Sequence, residues 1–386
     1  MPGWLILVGA MSALGPFSID MYLPAFPLIE REFGEGGVER TMATYMLGIA
    51  LGQLVYGPIS DRFGRKPPLY FGLILYAIGA TGCALAENMS MLMSMRIVQA
   101  IGACAPLVIG RAIVRDRCEP HEAARAYSTL MLIVSLGPII APTLGGWVIT
   151  ISGWRAVFLF QAVGGIALVI AMHMMLRESR DPQHVVPLRI SSALASYAGL
   201  FASRRFVGYS LVGGFGMGGL FCFVTGSPIV MANVFGLTPQ QFGYMIGLNG
   251  IAFLSASQLN IHALQNSTPA QVLARAVWWP LAFTLLLAII SFFIAPPLWL
   301  VIVLQFCFFI SVGRLTPNVS ALALAPYARE AGSASALMGA LQSALGMFAG
   351  VAVAMFSDGT LFRLALLLLI CALLSALSYV WVGREK

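Results

Sequence analysis

Blocks of about twenty apolar residues, separated by short polar breaks, run along the whole chain. Twelve can be drawn, at residues 4–24, 38–57, 69–86, 91–114, 124–151, 155–176, 206–231, 239–259, 273–295, 297–321, 332–355 and 360–382. A helix needs about 20 residues to cross about 30 Å of hydrocarbon, so the pattern predicts twelve transmembrane helices and no strands. The longest polar break lies at 177–205, between six blocks and six, with Pro182, Pro187 and five arginines. It reads as a cytoplasmic linker carrying a short amphipathic helix on the membrane surface. The predicted organisation is therefore a six-helix half at 1–176, the linker at 177–205, and a second six-helix half at 206–386. A faint repeat supports that division: ARAYSTLMLIVSLGPIIAP in the fifth block and AGSASALMGALQSALGMFAG in the eleventh occupy equivalent places.

Composition agrees: 59% of residues are hydrophobic and 10% charged, and the mean hydropathy of +0.88 excludes a soluble domain. No basic residue precedes the first block, which is longer than a signal-peptide core, so it reads as a retained span. Of the 22 Lys and Arg, sixteen fall in one set of alternate loops, while Arg31, Arg40, Arg155 and Arg363 fall in the other. By the positive-inside rule the richer side is cytoplasmic, with both termini there. The net charge of +7 is then a topology signal, and nucleic acid need not be invoked. The six cysteines are scattered without metal or disulfide spacing, and the four histidines form no cluster.

One acid stands well inside a block, away from its ends. Within SALGPFSIDMYLPAFP, Asp20 is the sole charge of the first block and falls in its outer half. Pro16 and Pro24 flank it, and each leaves the carbonyl four residues earlier without a helical donor. Irregular backbone at membrane depth belongs beside protein or a watery cavity. An ionisable group there marks a proton or ion pathway, unless it sits at a helix end and reaches headgroup water. Arg96 is the corresponding cation in the fourth block, at similar depth, and shares a helix face with Gln99.

The second and third blocks are joined by GPISDRFGRKP, in which Gly57, Asp61, Arg62, Gly64, Arg65 and Lys66 give the spacing G-x3-D-R-x-G-R-K. The fourth block contains R-x-x-Q-x-x-G and ends in RAIVRD, whose Asp116 is a candidate partner for that loop. The fifth carries GPIIAPTLGG, with Gly137, Pro138, Pro142, Gly145 and Gly146. Small residues there let a neighbouring helix approach, and the prolines bend the helix. Together with IDMYLPAFP and TPNVSALAL, these runs resemble the major facilitator superfamily of secondary transporters, and within it the bicyclomycin and chloramphenicol resistance branch of drug:proton antiporters. The resemblance covers nearly the whole chain. It implies the major facilitator fold, two six-helix halves around a central cavity. It also implies a latch role for Gly57, Asp61, Arg62, Gly64, Arg65 and Asp116, proton coupling through Asp20 and Arg96, and an antiporter motif on the fifth helix.

Candidate cavity residues are Tyr22, Tyr45, Gln99, Phe221, Phe223, Asn249 and Arg314; Phe221 and Phe223 serve equally well as packing or lipid-facing residues. Two departures qualify the resemblance. The loop HALQNSTPAQ has lost most of any repeat of the Asp61 signature, and Arg314 puts a cation in the tenth block, which would disfavour cationic substrates. The expected activity is multidrug efflux by proton-coupled antiport from a bacterial inner membrane, by a monomer without cofactor or metal, driven by the proton gradient. Asp20 would be switched by whether Arg96 is engaged. A uniporter or a carrier of sugars or amino acids on the same fold is the alternative. No paired acids, activated nucleophile or metal ligands lie within the blocks, so the chain is not expected to be an enzyme.

Overall fold

The computed structural model describes residues 2–34, 37–118, 126, 129–130, 133–134, 136–179 and 197–383. Among them there is no strand, and ten helical stretches are long and apolar enough to cross a membrane. The chain divides into two compact units, Met1–Arg189 and Ile190–Lys386. The boundary falls in the predicted linker, whose amphipathic helix lies outside the described residues.

In the first unit the opening block is longer than hydropathy alone suggested, because a broken but continuous helical path runs from Gly3 to Phe33. Helix α1 (Gly3–Ser12) passes into α2 (Leu14–Asp20), a 3-10 turn at Leu23–Ala25, and α3 (Phe26–Phe33). Pro24 sits in the first positions of the 3-10 turn and Pro27 in those of α3, where a missing N–H costs nothing. Next come α4 (Arg40–Phe63), α5 (Lys66–Ala84) and α6 (Met89–Arg117), the last capped by Asn88, whose Oδ1 accepts from the backbone N of Met91 at 2.9 Å. Helices α4 and α5 both pack on α6. A Cβ on Gly79 of α5 would strike the backbone of Gln99, and one on Gly102 of α6 that of Tyr76. Those two glycines bring the backbones close at the level of Arg96. Helices α7 (Gly137–Ser152) and α8 (Arg155–Met175) complete the unit. The fifth block was expected at 124–151; Gly137–Ser152 is its continuous described helix, and the described residues 126, 129–130 and 133–134 are helical as well.

The second unit holds α9 (Arg204–Phe235), α10 (Pro239–Leu264), the short α11 (Pro269–Ala276) continuing into α12 (Trp278–Phe293), α13 (Leu298–Leu324), α14 (Ala331–Phe356) and α15 (Leu361–Gly383). Helices α10 and α11 start in the same way: Thr238 and Thr268 form capping boxes with Gln241 and Gln271, and a proline follows each threonine. Helix α9 is the hub, in contact with α13, α14 and α15. Helices α10 and α13 run parallel. Gln305 donates to Asn249 at 2.7 Å near their starts, and Asn318 donates to Asn260 at 2.6 Å near their ends. The scattered cysteines are less scattered in space, since Cys222 of α9 and Cys371 of α15 place their sulfurs 3.9 Å apart.

Candidate functional site

Asp20 is the last residue of α2 and is buried, with 8% of its surface exposed. Among the described residues no hydrogen bond or ion pair engages its carboxyl group. The backbone after it stays irregular through Met21 and Tyr22, and the Tyr22 hydroxyl is held by Thr41 at 2.6 Å. Two residues earlier, the Ser18 hydroxyl donates to the carbonyl of Leu14 at 2.7 Å and meets the Tyr76 hydroxyl at 2.8 Å.

Arg96 is fully buried, and among the described residues no ion pair joins it to Asp20. Its Nη1 donates to the carbonyl of Ser18 at 3.0 Å and to Gln99 Oε1 at 2.8 Å, and Gln99 in turn donates to Gln161 at 2.7 Å. The guanidinium carbon lies 4.1 Å from the centre of the Tyr45 ring, 4.6 Å from that of Tyr22 and 5.8 Å from that of Phe158. Each such face contributes about 0.5–2 kcal/mol where water is excluded. The cation is thus solvated by aromatic faces and a carbonyl, and it grips the backbone leading into Asp20, leaving the acid alone. Its Nε remains without a partner. The candidate cavity residues Tyr22, Tyr45 and Gln99 are buried around this guanidinium.

Helix α7 lies against the same turn. A Cβ on Gly145 would collide with the carbonyl oxygen of Met21, and one on Gly137 would sit 3.1 Å from Pro16 Cβ. The G-P-x-x-A-P-x-x-G-G run therefore packs along Pro16–Met21, with Pro138 in its first turn and Pro142 inside the helix. Gly146 is buried within α7.

The loop signature forms a cluster at the α4–α5 corner. Arg65 Nε is 2.8 Å from Asp116 Oδ2, and Arg65 Nη1 donates to Ser60 at 3.1 Å. Glu178, just beyond α8, accepts from the backbone N of Arg65 at 2.9 Å and of Lys66 at 3.0 Å. An anion there satisfies the opening N–H groups of α5 and meets its positive dipole end. Gly64 has φ of 94°, and a Cβ there would stand 2.9 Å from Glu178 Oε2, so both conformation and space call for glycine. Gly57 lies within α4, and the Arg62 guanidinium sits 5.4 Å from the Phe63 ring centre. The side chain of Asp61 is outside the described part.

Two acids escaped sequence reasoning. Glu178 stood in a polar break that offered no spacing cue. At the other end of the unit, Glu32 accepts from Trp154 Nε1 at 2.7 Å and from Arg155 Nη1 at 2.6 Å.

In the second unit Asn249 is buried against Gln305, and Phe223 is 1% exposed, edge-on to Phe309 with ring centres 5.7 Å apart. Phe223 therefore packs in the interior of its unit. Phe221 is half-buried and touches Gly346, and Arg314 is half-buried on α13. An apolar groove of about 440 Å³ in the first unit, lined by Leu51, Val55, Tyr56, Phe63 and Phe71, includes none of the candidate residues.

An all-helical chain of membrane-length helices, with a buried acid on α2 and a buried cation on α6, has the build of a secondary transporter. The chain belongs to the Major Facilitator Superfamily, whose family pattern matches residues 8–351, and is a multi-pass membrane protein. It is similar to the uncharacterized MFS-type transporter YdgK of Bacillus subtilis (31% identical, covering 98% of this chain and 95% of that one). It is also similar to a bicyclomycin resistance protein homolog of Haemophilus influenzae (28%, covering 99% and 96%). A chloramphenicol resistance protein of Pseudomonas aeruginosa is 32% identical, over 77% of this chain and 72% of its own. The fold matches that of a D-xylose-proton symporter with a TM-score of 0.75 at 14% identity, covering 96% of this chain and 97% of the other.

Proposed function

We propose that the protein exports drug-like or small amphipathic compounds from the cytoplasm in exchange for protons. The observation that carries this reading is Asp20, a carboxyl group buried in a membrane helix with no partner, on a turn held by Arg96 and overlain by α7. A carboxylate in that position costs several kcal/mol, and a proton removes the charge. In the outward-open state the acid would take a proton. In the inward-open state it would release the proton as the compound binds. One charge moved through 100 mV supplies about 2.3 kcal/mol, a gradient of roughly fifty-fold, so a single site suffices. No cofactor is needed, since the proton gradient supplies the energy.

The relatives named for bicyclomycin and chloramphenicol resistance support a drug-like cargo. The arginine asymmetry supports a bacterial inner-membrane protein with both termini in the cytoplasm, and we take the monomer as the working unit. Cells overproducing the chain, tested on a panel of antibiotics with and without a protonophore, provide the experiment. Export reads as raised resistance that the protonophore abolishes. Flux that continues to equilibrate a compound after the gradient collapses would identify a uniporter.

A further inference from the structure

Arg314 is the seventeenth residue of the 27-residue α13, about 15 Å along the axis from its C-terminal end. It therefore sits well inside the apolar run of the helix, away from both of its ends. Among the described residues its guanidinium makes no hydrogen bond and no ion pair, and its Nε is buried without a partner. No acid can answer it from the apolar helices of its own unit, because residues 190–386 contain only Glu330, Asp358 and Glu385, all in predicted loops or the terminus. The backbone that presents it is pinned. Asn318, one turn on, donates to the carbonyl of Arg314 at 2.7 Å and to Asn260 of α10 at 2.6 Å. A Cβ on the preceding Gly313 would stand 2.7 Å from Ala256 Cβ. A cation held so firmly in an apolar helix, with no anion from its own unit among the described residues, is a site for a transient one.

We infer that Arg314 binds a carboxylate, or a comparable planar monoanion, on the exported compound, so that the preferred cargo is an anionic or zwitterionic amphiphile. This rests on the export reading above and narrows its substrate class. A guanidinium fork accepts a carboxylate through two parallel hydrogen bonds, which an ammonium on the same stem does not reproduce.

The test uses the purified full chain and aromatic acids from benzoate to nalidixate, each beside its ethyl ester, at about pH 8 where the acids are ionised. Titration calorimetry should give at least a tenfold preference of the wild type for acid over ester in the pairs that bind. Arg314→Gln should reduce that ratio at least tenfold, and Arg314→Lys should restore part of it. Thermal unfolding of both variants checks that they are folded. A wild type that favours no acid over its ester, or a preference that survives in Arg314→Gln, overturns the site. If proton-driven accumulation fails in vesicles while the preference stands, the export reading falls and the anion site remains.

Discussion

Arg96 and Arg314 are both guanidinium groups inside apolar helices, and they are treated oppositely. Arg96 has a Ser18 carbonyl, a glutamine and three aromatic faces. Arg314 is half-buried, anchored through its backbone, and has no partner at its head. Both leave Nε without a partner, so the difference lies at the terminal nitrogens: those of Arg96 are engaged, which makes it part of the architecture, and those of Arg314 are not, which leaves it open to a ligand or a counter-charge. The same distinction separates Asp20 from the acids at the ends of its unit. Glu32 and Glu178 are spent on indole, guanidinium and backbone donors, and Asp20 on nothing.

Substitutions can break the comparison. The largest effect should come from Arg96→Gln, which empties the aromatic cage and strips the Ser18 carbonyl of its donor. It should destabilise the first unit by about 3 kcal/mol or more, read as a lowered unfolding temperature in detergent. Gly145→Val should cost about 1–3 kcal/mol by driving α7 off the Met21 carbonyl, with proton-coupled export impaired together with stability. Glu178→Ala removes the cap from α5 and should cost about 1 kcal/mol. Arg314→Gln should leave the unfolding temperature unchanged within about 0.5 kcal/mol, or raise it, because an unpaired charge is relieved. Equal destabilisation by the Arg96 and Arg314 variants would erase the distinction.

Much of this was legible in the sequence, for a physical reason: a bilayer demands long apolar runs, so hydropathy located the helices and exposed Asp20, Arg96 and Arg314 as exceptions. The loop spacing likewise singled out Arg65 and Asp116, which meet at 2.8 Å. What was hidden depends on pairs distant in the chain. Arg96 was expected at the depth of Asp20, but periodicity cannot reveal that Tyr22, Tyr45 and Phe158 converge on it, or that it donates to the carbonyl of Ser18. Gly145 advertised close packing without saying that its neighbour would be Met21. Cys222 and Cys371, 149 residues apart, carried no spacing cue at all. The first block was drawn too short because Glu30, Arg31 and Glu32 lower its hydropathy, although α3 continues through them.

The most direct measurement of the central claim is proton release on ligand binding by the purified protein, followed with a pH dye in weakly buffered detergent. The account predicts that an exported compound displaces close to one proton per wild-type molecule and that Asp20→Asn releases none while still folding. Proton release of the same size from Asp20→Asn would contradict it.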